Sequence, residues 1–415
     1  MITTPKGLRL HIGIFGRVNV GKSSFLNAIT SQDVSITSPH PGTTTDVVEK
    51  AMELLPIGPV LFLDTAGLGD ESVLGEERVK RSMKVFDRTD VVVLVVEPWE
   101  WGEYEEFVVK EAKRRNQGIV VIINKSDLSP PSSEVVDAIS KEGLLAIEIS
   151  AVGKGQDRER WIARFKSALL SVLPDEFVSA PPLLGDLVPA GGLVVLVVPI
   201  DLEAPKGRLI LPQVQAIRDV LDSDAVVVVV KEREYLVLFE MLKRRPDLVV
   251  CDSQVVMKVV ADTPKDVKLT TFSILFSRFK GDLLTAVRSV RVLDNLQPGD
   301  KVLIAEACSH HPIQDDIGRV KIPRWIRQFV GGKVDIDVYA GKDYPENLSD
   351  YKLIVHCGGC TLNRRAMLSR IQLAKGYGVP ITNYGVCISY LHGVLERALT
   401  PFPAVREEFL SMSGR

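Results

Sequence analysis

No apolar run in the chain approaches the roughly 18 residues that a bilayer-spanning helix requires. The longest runs, such as Leu193–Ile200, suit buried strands instead, and a membrane is not expected as a partner. The opening MITTPKGLRL has no cationic stretch followed by an apolar one, so no secretion signal is read there. Cysteine is scarce: five in 415 residues cannot form a disulfide framework, and a cytoplasmic location is expected. Neither sign of charge dominates, with 51 basic against 53 acidic residues and a net charge of −2, which argues against nucleic acid as a partner. Low-complexity tracts and short-period repeats are also missing.

What remains is an ordinary globular balance, 46% hydrophobic and 25% charged, in a chain too long for one core. Val- and Ile-rich runs alternate with amphipathic segments, the pattern of parallel sheets covered by helices. The expected fold class is α/β, a P-loop parallel sheet followed by two smaller βα-alternating domains. Proline and glycine cluster between Leu173 and Gly192, and Asp262-Thr263-Pro264 marks a second break. These divide the chain into 1–175, 185–265 and 268–415. The middle piece offers three strand candidates, Leu193–Pro199, Ala225–Val230 and Leu248–Cys251. At its size it needs a neighbour or a second copy to complete its core.

Leu8–Phe15 reads as an apolar strand running into Gly16-Arg17-Val18-Asn19-Val20-Gly21-Lys22-Ser23 and then a helix from near Ser24. This strand, GxxxxGK[ST], helix order lets glycines and a helix N-terminus wrap phosphates. Lys22 then reaches the β- and γ-phosphates, and Ser23 binds Mg2+. Asp64-Thr65-Ala66-Gly67 follows the strand Val60–Leu63, placing Asp64 near Mg2+ and the Gly67 amide near the γ-phosphate. Asn124-Lys125-Ser126-Asp127 follows Ile119–Ile123, and the Asp127 carboxylate can accept from both guanine N1–H and its 2-amino group. Adenine lacks that donor pair, and an unpaired carboxylate penalises it. Ser150-Ala151 fits the loop that touches guanine O6. Four elements in this order, each at a strand's C-terminal end, indicate GTP as ligand.

Pro41-Gly42-Thr43-Thr44-Thr45-Asp46 resembles the first switch of the GTPases related to Era, EngA and the tRNA-modifying MnmE. The resemblance implies that Thr44 binds Mg2+. Leu68 stands where many GTPases carry a water-orienting Gln, which implies slow intrinsic hydrolysis. In potassium-activated relatives an Asn of the P-loop helps hold K+. Asn19 occupies that place, so K+-stimulated turnover is expected, with Lys22, Thr44 and Asn19 as the catalytic set.

The last piece holds four of the six histidines and four of the five cysteines. Cys308-Ser309-His310 ends the strand Lys301–Ala307. After 45 intervening residues His356-Cys357-Gly358-Gly359-Cys360 ends the strand Lys352–Val355. In a parallel sheet these ends share one edge, so the residues can converge on one metal. Three thiols with nearby imidazoles fit either a structural Cys3His zinc site or an iron–sulfur cluster, and spacing does not choose between them. Cys251, Cys387 and His11 read as core residues.

CxH, a gap of this size and HCxxC, behind a GTPase of this type, resemble the FeFe-hydrogenase maturation GTPases across the whole chain. The resemblance implies a 4Fe-4S cluster on Cys308, Cys357 and Cys360, with His310 or His356 as fourth ligand or close neighbour. It implies a homodimer formed through the middle domain. It also implies a scaffold that receives a two-iron unit built with the radical-SAM maturases HydE and HydG and delivers it to the FeFe-hydrogenase apoprotein. The alternative is a ribosome- or RNA-associated GTPase with a structural zinc site. The missing basic stripe and missing KH-like GXXG segment argue against it.

Overall fold

The computed structural model describes residues 4–30, 48–65, 83–153, 155–174, 182–199, 209–307, 316–341, 344–345 and 347–412. It divides into two compact units, Met1–Ala180 and Pro181–Arg415. No helix among the described residues is long and apolar enough to cross a membrane.

The first unit is built on strands β1 (Leu10–Phe15), β2 (Val48–Leu54), β3 (Gly58–Asp64), β4 (Val91–Val96), β5 (Gly118–Ile123) and β6 (Leu145–Glu148). Their order is β2-β3-β1-β4-β5-β6, all parallel except β2, which pairs antiparallel with β3. β1 and β4 are buried along their whole length because helices cover both faces, which explains their unbroken apolar sequences. Leu10, Ile12 and Ile14 pack with Phe25, Trp161 and Phe165 on one side. Phe15 turns to the opposite side, against Leu63, Phe86 and Val108. The chain reverses its lateral direction beside β1, so the loops after β1, β3, β4 and β5 open along one edge.

The second unit holds two four-stranded parallel sheets. The first comprises β7 (Leu193–Val197), β8 (Val226–Val230), β9 (Leu248–Cys251) and β10 (Lys268–Thr271), in the order β10-β9-β7-β8. The second comprises β11 (Lys301–Glu306), β12 (Asp335–Ala340), β13 (Leu353–His356) and β14 (Ile381–Asn383), in the order β12-β11-β13-β14. One hydrophobic core runs through both, from Val194 and Val250 to Ile304 and Val355. The sequence reading gives the first sheet three strands and opens the last domain at 268; the sheet has a fourth, β10. Its sequence, Lys-Leu-Thr-Thr, is short and polar, and its pairing with β9 rather than its own hydrophobicity makes it a strand.

β11 sends the chain to β12 on one side, and β13 sends it to β14 on the other. The switch point therefore lies between β11 and β13, whose register sets Ala305 opposite His356. Both cysteine motifs follow these two strands. A helix, Phe272–Lys280, leaves β10 with Thr271 as its cap and packs against the helices Tyr384–Leu391 and Arg364–Gly376. Its last residue lies beside the second cysteine motif.

Candidate functional site

After β1 the backbone enters left-handed or glycine-only conformations at Gly16, Asn19 and Gly21. A Cβ on Gly16 would lie 2.4 Å from the Val95 carbonyl oxygen, and one on Gly21 would lie 2.2 Å from Asn124 Nδ2, so side chains are excluded from both. Lys22 is buried, and its Nζ donates to the carbonyls of Gly16 (2.8 Å) and Arg17 (2.6 Å). Burial lowers its pKa, while nearby Asp64 acts in the opposite sense. Ser23 and Ser24 open the helix Lys22–Thr30 on its exposed side, and Ser23 Oγ donates to Asp64 Oδ2 at 3.3 Å. Hydroxyl and carboxylate are thus placed to share a divalent cation.

Asn124 is buried and joins three loops. Its Nδ2 donates to Val20 O at 2.8 Å, and its Oδ1 accepts from the Ala151 N–H at 3.0 Å. Lys125 is left-handed and ion-paired to Glu97, and Asp127 is exposed beyond it. Ser126 Oγ donates to Ile149 O at 2.8 Å, tying this loop to the one that carries Ser150. Thr44, Gly67 and Leu68 lie outside the described residues. Sequence reasoning passed over Arg17, which pairs with the buried carboxylate of Glu105 at 2.7 Å, and Tyr104, whose hydroxyl accepts from the Gly16 N–H at 3.3 Å. Their partners sit far along the chain, and no motif spacing announces them.

At the switch point of the last sheet, the Ala307 N–H donates to Cys357 Sγ at 3.2 Å. Gly359 is left-handed, and a Cβ there would lie 2.3 Å from Met367 Cε, which lets the turn between Cys357 and Cys360 close tightly. Burial pushes the Cys360 thiol up; Lys280 and main-chain N–H groups act against it. His356 Nδ1 lies 2.7 Å from Cys357 O and therefore donates to it, leaving Nε2 as a lone pair. That Nε2 is buried and has no hydrogen-bond partner among the described residues. Burial first, and then Arg370, push the imidazole pKa down to about 3, so it is neutral. A small open cleft runs beside Cys357 and Gly358, lined also by Ser277, Asp282, Thr285 and His356.

Among the described residues no three Cys, His, Asp or Glu side chains gather around one metal position, and Cys308 and His310 lie outside those residues. What is present fits a soft-metal centre. Two cysteines follow one strand edge, the Ala307 N–H points at the Cys357 sulfur, Gly359 permits the turn, and the His356 Nε2, unpartnered among the described residues, lies in the same motif. Cys251 and Cys387 are fully buried in the core. His11 is likewise buried, its ring nitrogens 3.1 Å from Arg88 O and 2.9 Å from Lys6 O.

Residues 11–125 match the family model described as a 50S ribosome-binding GTPase. Residues 183–281 match the hydrogen maturase F dimerization domain, and 284–401 the hydrogen maturase F tetramerization domain. The chain is a hydrogen maturase F-like P-loop GTPase. Relatives of its GTPase domain include the tRNA modification GTPase MnmE of Synechococcus sp. (strain JA-2-3B'a(2-13)), 39% identical over 136 residues, 32% of this chain and 29% of that protein. GTPase Der of Kosmotoga olearia is 34% identical over 125 residues, 29% of this chain and 28% of Der. Aquifex aeolicus Era bound to GDP and AlF4− is 28% identical, with a TM-score of 0.31, covering 40% of this chain and 56% of Era. Matches to the eight curated relatives span 28% to 37% of those proteins' lengths. GTP and Mg2+ are the expected ligands of a hydrogen maturase F-like GTPase domain, and its dimerization and tetramerization domains mark it as a homo-oligomer.

Proposed function

We propose that this GTPase is a scaffold that holds a 4Fe-4S cluster on Cys308, Cys357 and Cys360 and carries a two-iron unit, built with HydE and HydG, to the FeFe-hydrogenase apoprotein. The observation that carries this reading is the switch point between β11 and β13, where both cysteine motifs leave neighbouring parallel strands. When bound, the cluster supplies iron with an exchangeable position. The neutral imidazole of His356, whose Nε2 has no partner among the described residues, would serve as a ligand or hydrogen-bond acceptor there, and His310 is the other candidate. Residues 1–175 carry the nucleotide chemistry and 185–265 join two copies. Residues 268–415, apart from β10, carry the cluster.

In the nucleotide unit, Lys22 and the loop amides would neutralise the β- and γ-phosphates, while Ser23, Thr44 and Asp64 would hold Mg2+. Asn19 would hold K+. Asn124 would fix the loop from which Asp127 reads guanine, with Ser150 and Ala151 at its edge. Hydrolysis then acts on conformation and partner exchange in the cytoplasm.

The experiment that tests delivery is activation of purified hydrogenase apoprotein by this protein, isolated anaerobically after co-expression with HydE and HydG. Hydrogen evolution that depends on Cys357 supports the reading. Iron-loaded protein that activates nothing, alongside a competent positive control, contradicts it.

A further inference from the structure

Lys280 ends the helix Phe272–Lys280, where a lysine ordinarily reaches solvent. Here it is 1% exposed. Its Nζ points into the turn of the cysteine motif, 2.7 Å from Leu362 O, 3.0 Å from Cys360 O and 3.5 Å from Gly359 O. Three carbonyl acceptors around one nitrogen call for three N–H donors, which only the ammonium provides. The Phe276 ring lies 5.5 Å away and adds a weaker attraction. No carboxylate of a described residue pairs with Lys280; Asp282, two residues on, is engaged with Thr285 and Lys375.

A buried ammonium without an anion carries a large desolvation cost, and neutral carbonyls offset only part of it. The cost falls when negative charge is brought near, and the adjoining groups able to supply it are the thiolates of the motif that Lys280 clasps. We propose that Lys280 is the positioning residue and fixed counter-charge of the Cys357–Cys360 turn, holding residues 359–362 in shape and offsetting the negative charge of a thiolate-bound cluster. This rests on the cluster reading above. A fixed positive charge favours the more negative, reduced state, so it raises the reduction potential.

The test compares anaerobically prepared wild type with Lys280→Met, Lys280→Gln and Lys280→Arg. Two quantities are read, the cluster midpoint potential by EPR-monitored titration and the rate of iron release to a chelator. Both neutral variants should show a more negative potential, and Lys280→Met should release iron several-fold faster. Lys280→Arg, which keeps the charge, should stay near wild type in potential. If Lys280→Met does not fold, the Gln and Arg pair decides the same point. Wild-type potential and release in the neutral variants overturn the inference alone. Wild type without iron and sulfide overturns the cluster reading and this inference with it.

Discussion

The main-chain N–H of Ala307 points at Cys357 Sγ across 3.2 Å, joining the end of one strand to the thiol that follows its neighbour. Ala307 immediately precedes Cys308 in the sequence, so this contact joins the strand end that leads into the first cysteine motif to a thiol of the second. It exists because β11 and β13 are parallel and in a register that sets Ala305 beside His356. An N–H donated to sulfur stabilises the thiolate over the thiol, as a metal ligand requires.

The turn that follows depends on one glycine more than on the other. Gly359 is left-handed and close to Met367, whereas a Cβ on Gly358 would come no nearer than 3.9 Å to Ser273 Oγ. Gly359→Ala should cost about 1–2 kcal/mol of stability and weaken iron retention. Gly358→Ala should be tolerated. Urea unfolding with iron analysis checks both, and equal behaviour of the two variants would contradict this account.

Asn124 connects three loops through one buried and one part-buried hydrogen bond. Each lost bond costs about 1–3 kcal/mol when a buried partner is left unsatisfied, so Asn124→Ala should weaken GDP and GTP binding at least tenfold. Asp127→Asn should lower guanine affinity and gain xanthine nucleotide, whose C2 carbonyl accepts from an amide. Titration with fluorescent nucleotides reads both changes. Unchanged affinities would remove these residues from the base site.

The phosphate-loop backbone was legible because its motif is written in backbone needs. Gly16 and Gly21 stand where no side chain fits, and Lys22 sits at fixed spacing from them. Three strands of the last sheet were legible from apolar runs, and two of them, β11 and β13, pair in parallel just before the cysteine motifs in the sequence. Other features carry no local signal. Lys280 reads as a solvated helix end, and only its tertiary surroundings bury it. β10 lacks the apolar run of a central strand, and β12 is a largely exposed edge strand of half-polar sequence. Long-range partners such as Arg17 and Glu105 are set by packing rather than by pattern.

Asn19 is exposed and left-handed within the phosphate loop, the place from which it would hold a monovalent cation. Turnover should be several-fold faster in KCl than in NaCl, and Asn19→Ala should abolish the difference. Phosphate release at equal ionic strength measures it. Equal rates for the wild type in both salts would exclude a potassium site.

The two edges of the first sheet in the second unit are treated differently. At β10 the Leu269 N–H donates to Thr400 Oγ1 at 2.9 Å, and Arg397 donates to the Val267 carbonyl, so this edge is covered. β8 is a run of five valines at the opposite edge, with Val226 54% and Val229 40% exposed. Leu236, Val237 and Met241 are exposed nearby in sequence. Such an edge invites pairing with a second copy. Val226→Lys together with Val229→Lys should convert dimers to monomers in light scattering, with the fold intact by circular dichroism. An unchanged mass would place the dimer contact elsewhere.

The most direct test of the cluster reading is iron and acid-labile sulfide analysis of anaerobically prepared protein, with an EPR spectrum after dithionite reduction. The account predicts about four iron and four sulfide per chain. It also predicts a reduced-cluster signal lost in Cys308→Ser and Cys357→Ser but kept in Cys251→Ser and Cys387→Ser. About one zinc per chain, without sulfide or signal even after reconstitution, would contradict it and leave a GTPase with a structural metal site.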